Sequence, residues 1–150
     1  MIIDNEPYLI EYNVRMGDPE CQTILPKLNT DLLEIFLACC NQNLKEIKIN
    51  WNNKKSLCVV LCSKGYPEKY EKNVEIKNLN KIELNSQDFM FHAGTIEKGG
   101  KFFSIGGRVL NFISLSDEFF KARENINKYL RKLNWTGGFY RKDIGHKVIN

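Results

Sequence analysis

The sequence predicts an α+β protein that ends in a small mixed-sheet domain with one long helix. A continuous apolar run at 57–62, bounded by lysines, is typical of a central buried strand. Two further β-type runs, at 89–96 and 101–105, flank a Gly99-Gly100 pair, which is a hairpin signal. Apolar residues then recur at helical spacing over 119–133. A group of strands followed by a helix, without regular alternation, favours the α+β class.

Composition narrows the class of protein. The 150 residues are 43% hydrophobic and 27% charged, which is typical of a soluble globular chain. No apolar run approaches the roughly 20 residues of a membrane span, and the first residues lack a signal-peptide layout. The net charge of +4 comes from scattered lysines without a basic patch. We therefore expect no membrane and no nucleic acid among the partners.

The cysteines indicate a reducing compartment. Their number, 5, is odd and their spacing matches no metal site. We interpret all of them as small hydrophobic residues carrying free thiols. The sequence therefore predicts a cytoplasmic protein.

Residues 8–15 have the alternation of a strand with one polar face. Glu11 and Asn13 are two positions apart, so a strand would project both side chains from the same face. A carboxylate and a carboxamide supply the oxygen ligands that Mg²⁺ prefers, with phosphate and water completing its shell. Arg15, next on that face, could oppose the same phosphates with its planar fork of donors. An ordinary half-buried strand is the alternative.

A turn and two helices follow that strand. Gly17 allows a tight bend, Asp18 can cap the next helix and Pro19 suits its first position. We predict a short helix over 19–28, interrupted near the proline at 26. A second helix, capped by residue 29 or 30 and running to about 41, is apolar nearly all round and should be buried on more than one side.

A polar, Asn-rich stretch over 41–55 suggests a domain boundary, so we divide the chain into residues 1–53 and 54–150. In the second part we predict these elements in order: a strand at 57–62, a turn at 64–67, short strands or loops at 74–79 and 81–84, the hairpin around 97–100, a strand at 108–114, and a helix that begins at residue 116 or 117 and ends near 133.

Four motifs occur in a fixed order: Glu11-x-Asn13-x-Arg15-x-Gly17-Asp18-Pro19-Glu20, then Gly65-Tyr66-Pro67, then 91–95 (Phe-His-Ala-Gly-Thr) with 106–110 (Gly-Gly-Arg-Val-Leu), then 141–145 (Arg-Lys-Asp-Ile-Gly). Together they resemble the phosphoribosylamine–glycine ligases (glycinamide ribonucleotide synthetases), a family of ATP-grasp enzymes. The resemblance covers essentially the whole chain. One departure is Met16, where the family normally carries Phe.

The resemblance implies a fold and a reaction. Residues 1–53 would be the end of an ATP-grasp core, a strand plus helices, and 54–150 the family's C-terminal domain. The implied activity is the ATP- and Mg²⁺-dependent joining of glycine to 5-phosphoribosylamine in de novo purine (IMP) biosynthesis. ATP phosphorylates the glycine carboxylate, and the amine then attacks the acyl phosphate. Phosphoryl transfer of this kind asks the protein for positioning and charge neutralisation.

The same resemblance implies residue roles. Glu11 and Asn13 would hold Mg²⁺ or Mn²⁺ across the phosphates of ATP, which is a co-substrate. Arg15 and Asp18 would be catalytic. The residues implied in substrate binding are Gly94, Thr95, Gly107 and Arg108.

Each motif of the C-terminal part also has a structural alternative. His92, a lone histidine after an apolar run, is typical of a structural residue. Two glycines before a strand commonly form a bulge. Arg141 and Asp143 can simply form a surface ion pair.

The family's adenine-gripping lobe and phosphate-covering loop have no counterpart in this sequence. We therefore expect the isolated chain to be inactive, with a separate polypeptide as a possible source of the N-terminal lobes. The alternative is a non-catalytic remnant or interaction module that keeps the C-terminal fold. The tail of an ATP-grasp carboxylase is disfavoured, because the Arg-x-Gly-Asp-Pro-Glu and Phe-His-Ala-Gly-Thr runs belong to the amine ligase pattern.

Overall fold

The structure is a computed structural model that describes residues 1–149. Its strands are β1 (Ile2–Ile3), β2 (Glu6–Pro7), β3 (Lys55–Ser63), β4 (Val74–Ile76), β5 (Asp88–His92), β6 (Thr95–Lys98), β7 (Lys101–Ser104), β8 (Arg108–Ser116) and β9 (Gly138–Phe139). Its α-helices are α1 (Glu20–Ile24), α2 (Leu32–Cys40) and α3 (Phe119–Lys132). Short 3-10 helices span Leu25–Lys27, Leu44–Glu46 and Leu79–Lys81.

The strands of the described part of the chain form three sheets. The main sheet has the order β5-β8-β3-β9, a second has the order β4-β7-β6, and β1 pairs with β2. Every strand pair formed by residues 1–149 is antiparallel, so the predicted mixed sheet is wrong. The short connection between β6 and β7 is the kind that antiparallel pairing permits, whereas neighbouring parallel strands need a long crossover.

The core lies between the main sheet and α3. Buried side chains of α3, including Ala122 and Ile126, pack on Leu61 and Phe112 of the two central strands. The ring of Phe112 stacks on Tyr129 with centroids 6.2 Å apart. The predicted long amphipathic helix is confirmed, although its N-cap is residue 118, without a side-chain capping bond.

The predicted hairpin is confirmed for β6 and β7. Gly99 and Gly100 connect the two strands with φ of +57° and +74°, a conformation that favours glycine. The preceding run differs from the prediction, because the chain turns at Ala93 and Gly94. β5 therefore joins β8 in the main sheet, while β6 pairs with β7.

Residues 8–15 do not form the predicted strand. They are exposed and have no regular secondary structure, and among residues 1–149 no other segment pairs with them as a strand. A strand is maintained by a neighbour that satisfies its backbone N–H and C=O groups. The expected strand of an ATP-grasp core is therefore absent from the described residues, and the boundary at residue 53 stays a prediction.

Helix α2 is more exposed than its composition predicts. Ala38 is its buried residue, whereas Leu33 is 63% exposed and Phe36 56% exposed. The prediction of burial on several sides is wrong for the described residues. The cap also differs from the prediction, since the carboxylate of Asp31 accepts the N–H of Leu33.

None of the helices formed by residues 1–149 combines the length and apolar character needed to cross a bilayer.

Candidate functional site

A cleft of about 470 Å³ lies on the face of the main sheet opposite α3. Leu57, Val59 and Leu61 belong to the core on the α3 side. The intervening side chains of Cys58, Val60 and Cys62 therefore point the other way and form the floor of the cleft. Its walls are Pro19, Tyr66, Pro67, Arg108, Phe139, Tyr140, Arg141 and Ile144. Each of the four sequence motifs contributes at least one of these residues.

Asp18 and Arg108 form an ion pair at this cleft. The Nε of Arg108 lies 2.9 Å from Oδ2 of Asp18, and its Nη1 donates to the Asp18 carbonyl at 3.4 Å. The other carboxylate oxygen of Asp18 accepts a hydrogen bond from Gln22 Nε2 at 2.8 Å. Two predicted site residues that are far apart in sequence are thus in direct contact.

Contrary to the prediction, Asp18 does not cap α1. Pro19 occupies the N-cap position and has no side-chain capping bond. The carboxylate of Glu20 instead accepts the N–H of Gly17 at 2.7 Å. The side chain of Asp18 is turned towards Arg108 and Gln22, so it connects the turn to the main sheet.

Glu11 and Asn13 lie in the exposed segment that precedes this turn. Their carboxylate and carboxamide oxygens suit Mg²⁺ chemically. Within residues 1–149, no three His, Cys, Asp or Glu side chains are grouped as a metal site. Two protein oxygens would therefore leave most of the coordination shell to phosphate and water. Arg15, in the same segment, donates from Nη1 to the carbonyl of Met16 at 2.9 Å.

Gly94 and Thr95 use their donors within the protein. The N–H of Gly94 is donated to the carbonyl of Arg108 at 3.0 Å. The hydroxyl of Thr95 lies 2.8 Å from Nδ1 of His92 and forms a hydrogen bond with it. These contacts hold the tight turn between β5 and β6, and substrate binding by Gly94 and Thr95 stays a prediction.

Gly107 lets an aromatic wall of the cleft approach the backbone. A Cβ on Gly107 would lie 2.2 Å from Cδ2 of Tyr66. The Gly107 carbonyl accepts the N–H of Ser63 at 2.8 Å. The double glycine therefore has a packing role, and substrate binding by Gly107 also stays a prediction.

Arg141 and Asp143 form the bidentate surface pair that was the structural alternative for their motif. Nε and Nη2 of Arg141 lie 3.0 Å and 2.6 Å from the two carboxylate oxygens of Asp143. The neighbouring guanidinium holds the pKa of the Asp143 carboxyl below its usual value. Arg141 nevertheless lines the cleft.

The cysteines of the cleft floor are unsuited to act as catalytic nucleophiles. Burial raises the pKa of the Cys58 thiol to about 11, and burial also raises the pKa of Cys62. Both therefore stay protonated near neutral pH. All five cysteines have free thiols, as predicted, and two of them, Cys39 and Cys40, are exposed on α2.

Sequence reasoning missed Phe139 and Tyr140 as cleft residues. They reach the cleft because β9 pairs with β3 through Cys62 and Phe139. The alternation of Cys58, Val60 and Cys62 was a usable signal for one sheet face. The sequence offered no comparable signal for this non-local pairing.

Comparisons with known proteins agree with one another. A family profile described as "Phosphoribosylglycinamide synthetase, C domain" matches residues 56–147. The phosphoribosylamine–glycine ligase of Fusobacterium nucleatum is 44% identical over 146 residues, which are 97% of this chain and 34% of that protein. The enzyme of the same name from Caldanaerobacter subterraneus is 43% identical over 144 residues, 96% of this chain and 34% of the relative.

A solved structure has a similar fold. It is the crystal structure of the phosphoribosylamine–glycine ligase from Thermotoga maritima, which matches with a TM-score of 0.68 and 33% sequence identity. The match covers 96% of this chain and 35% of the Thermotoga chain. The chain thus spans about a third of the length of the relatives that it matches.

Proposed function

The chain belongs to the phosphoribosylglycinamide synthetase family, whose C domain it contains, and we propose that it supplies the C-terminal part of a phosphoribosylamine–glycine ligase. The reaction joins glycine to 5-phosphoribosylamine with ATP as co-substrate. The observation that carries the proposal is the cleft, because residues from all four family motifs line it. Convergence of separated motifs at one concave surface is typical of a ligand site.

Glu11 and Asn13 would hold Mg²⁺ or Mn²⁺ in this proposal. Their oxygen donors fit a hard cation, which takes the rest of its shell from phosphate and water. The cation would supply neutralisation of charge on the ATP phosphates. Arg15 would face the transferring phosphoryl group or the glycine carboxylate, for which its planar fork is suited.

The cleft would border the site for phosphoribosylamine. Its volume, about 470 Å³, lies within the range usual for small-molecule sites. Gly94 and Gly107 would act here through backbone geometry, because their close contacts shape the turn and the aromatic wall beside Arg108. Thr95 would act through the same turn, where its hydroxyl is hydrogen-bonded to His92.

A polypeptide corresponding to the rest of the relatives would complete the site, either in the same chain or as a separate subunit. The relatives are about three times as long as this sequence, since the match covers 34% of their length. Apolar side chains that such a polypeptide could cover are exposed on α2, including Leu33 and Phe36, and in the first segment, including Ile10 and Tyr12. We expect residues 1–150 alone to be inactive.

The test is a fused ligase in which this chain replaces the matching C-terminal third of the Fusobacterium nucleatum enzyme. We expect release of ADP that depends on both glycine and phosphoribosylamine. There are two controls. One is the 150-residue chain assayed alone, and the other is the Fusobacterium portion alone, which is the Fusobacterium nucleatum enzyme without its C-terminal third. A fused protein that folds and binds ATP but forms no product would count against the proposal.

A second candidate is an interaction module without catalytic activity. The observation in its favour is the exposure of the whole segment 8–15, which leaves Glu11 and Asn13 without a rigid base in the described residues. It predicts that the chain binds the Fusobacterium portion but that their complex gives no ligation. The fused ligase distinguishes the two candidates.

A further inference from the structure

Arg108 connects the N-terminal segment, which runs from residue 1 to the end of α1, to the main sheet. Its Nε lies 2.9 Å from the Asp18 carboxylate, and its Nη1 donates to the Asp18 carbonyl. One guanidinium therefore engages both the side chain and the main chain of the same residue, 90 positions away. Such a contact fixes the position of the turn as well as balancing its charge.

The segment is anchored at two separate places. In the last turn of α1, the carbonyl of Thr23 accepts the hydroxyl of Ser56 at 2.8 Å. Shortly after the helix, Leu28 forms a β-bridge with Trp51. At the beginning of α1 the anchor is the contact between Asp18 and Arg108. Because Glu11 and Asn13 precede Asp18, this second anchor is the nearer of the two to them along the chain.

Arg108 is itself held in place by the sheet. The pairing of β3 with β8 shifts between Leu61 and Cys62, which puts Arg108 opposite Cys62 at the edge of the cleft. The carbonyl of Arg108 accepts the N–H of Gly94 at 3.0 Å. A fixed backbone and a bidentate partner leave this side chain oriented towards Asp18.

We propose that Arg108 is a positioning residue. It holds Asp18 at the edge of the cleft, and with Asp18 the end of the segment that carries Glu11 and Asn13. The competing assignment is a direct substrate ligand. The catalytic meaning of this inference rests on the proposed function, whereas the anchoring of the segment can be tested without it.

The first experiment measures amide hydrogen exchange of the 150-residue chain by NMR. The N–H groups of Cys21 and Thr23 donate to the carbonyls of Gly17 and Pro19, so they report on the beginning of α1. We expect Arg108→Gln and Asp18→Asn each to accelerate their exchange at least about threefold, since local opening becomes easier. Amides of Leu110 and Phe112, in the buried strand, should keep their protection.

The matched control is Arg141→Gln, which removes a guanidinium from the same cleft but leaves Asp18 paired. It should leave the exchange of Cys21 and Thr23 unchanged. The charge exchange Asp18→Arg with Arg108→Asp should restore protection in part, which a merely destabilising substitution would not do. Unchanged exchange at Cys21 and Thr23 in Asp18→Asn and Arg108→Gln would overturn the proposal, as would equal loss of protection at Leu110.

The second experiment uses the fused ligase and separates positioning from substrate binding. We expect Arg108→Gln to lower kcat and to raise the Mg²⁺ concentration for half-maximal rate, with KM for phosphoribosylamine within about twofold of the parent. The charge exchange should recover part of the rate. A raised KM with an unchanged Mg²⁺ requirement would overturn positioning in favour of a substrate ligand. If the fused ligase is inactive, the proposed function fails while the exchange experiment still decides the anchoring.

Discussion

Gly94 and Gly106 meet backbone to backbone: a Cβ built on Gly94 would lie 2.5 Å from the Cα of Gly106. The carbonyl of Gly94 also accepts the N–H of Gly106 at 3.2 Å. This contact joins the turn after β5 to the approach of β8, where Arg108 begins the strand. The two runs of the third family motif, 91–95 and 106–110, are therefore parts of one packed unit.

Replacement of Gly94 by alanine should destabilise the fold. The new methyl group would lie 2.7 Å from the Arg108 carbonyl as well as against Gly106, so backbone must move. We expect the free energy of unfolding to fall by about 2 kcal/mol or more, as for overpacked sites. Urea denaturation measures this loss. Gly17→Ala is the control, since its nearest neighbour is the flexible Glu20 carboxylate at 3.3 Å, and a similar loss there would contradict the explanation.

Gly107→Ala should disturb the aromatic wall of the cleft. A Cβ at this position would overlap the ring of Tyr66, so either the ring or the backbone must shift. We expect a loss of about 1–3 kcal/mol in unfolding free energy, and a much smaller loss when Gly107→Ala is made in the Tyr66→Ala background. Additive effects of the two substitutions in a double-mutant cycle would show that the ring is not the obstacle.

Core packing and the exposed helix should respond differently to truncation. Phe112 is fully buried against α3, whereas Phe36 on α2 is 56% exposed. We expect Phe112→Ala to cost about 3–5 kcal/mol of unfolding free energy and Phe36→Ala to change it by at most about 0.5 kcal/mol. Urea denaturation of the isolated chain compares them. A large loss for Phe36→Ala would mean that α2 packs more tightly than the structure describes.

Stability should fall in alkaline solution because of Cys58. Burial raises its thiol pKa from 9.0 to about 11, so the unfolded chain loses this proton first. The stabilisation from this group is complete below about pH 9 and is lost as the pH rises through 11, by about 3 kcal/mol in total. Between pH 8 and 11, the free energy of unfolding from urea denaturation should fall more steeply with pH for the parent than for Cys58→Ala. The same pH dependence in both proteins would contradict the raised pKa of Cys58.

Hydrophobic periodicity was sufficient to predict the elements that pack against one another within the C-terminal part. The helix over 119–133 and the strand at 57–62 were predicted because their apolar residues have one sheet or one helix to pack against. The same reasoning failed at 8–15 and for α2, because residues 1–149 provide no partner strand for the first and no surface that covers Leu33 and Phe36 of the second. Local pattern identifies an apolar face, but it does not identify what covers that face.

The sequence was sufficient to identify residues of the candidate site. It was less informative about how those residues are arranged in space. The motifs pointed to Asp18 and Arg108, but their contact depends on a strand register that no local pattern reveals. The same holds for Phe139, which enters the cleft through the pairing of β9 with β3. Contacts between distant segments are therefore what the structure adds.

The most direct test of the account compares Glu11→Gln with Glu6→Gln in the fused ligase. Both substitutions remove one exposed carboxylate from the N-terminal segment, but only Glu11 belongs to the proposed metal pair. The measured quantity is the rate of ADP release that requires glycine and phosphoribosylamine at saturating Mg²⁺. We predict a fall of at least about 100-fold for Glu11→Gln, typical of a lost transition-state contact, and no more than about twofold for Glu6→Gln. Equal rates for the two variants would contradict the assignment of this segment to the ligase site.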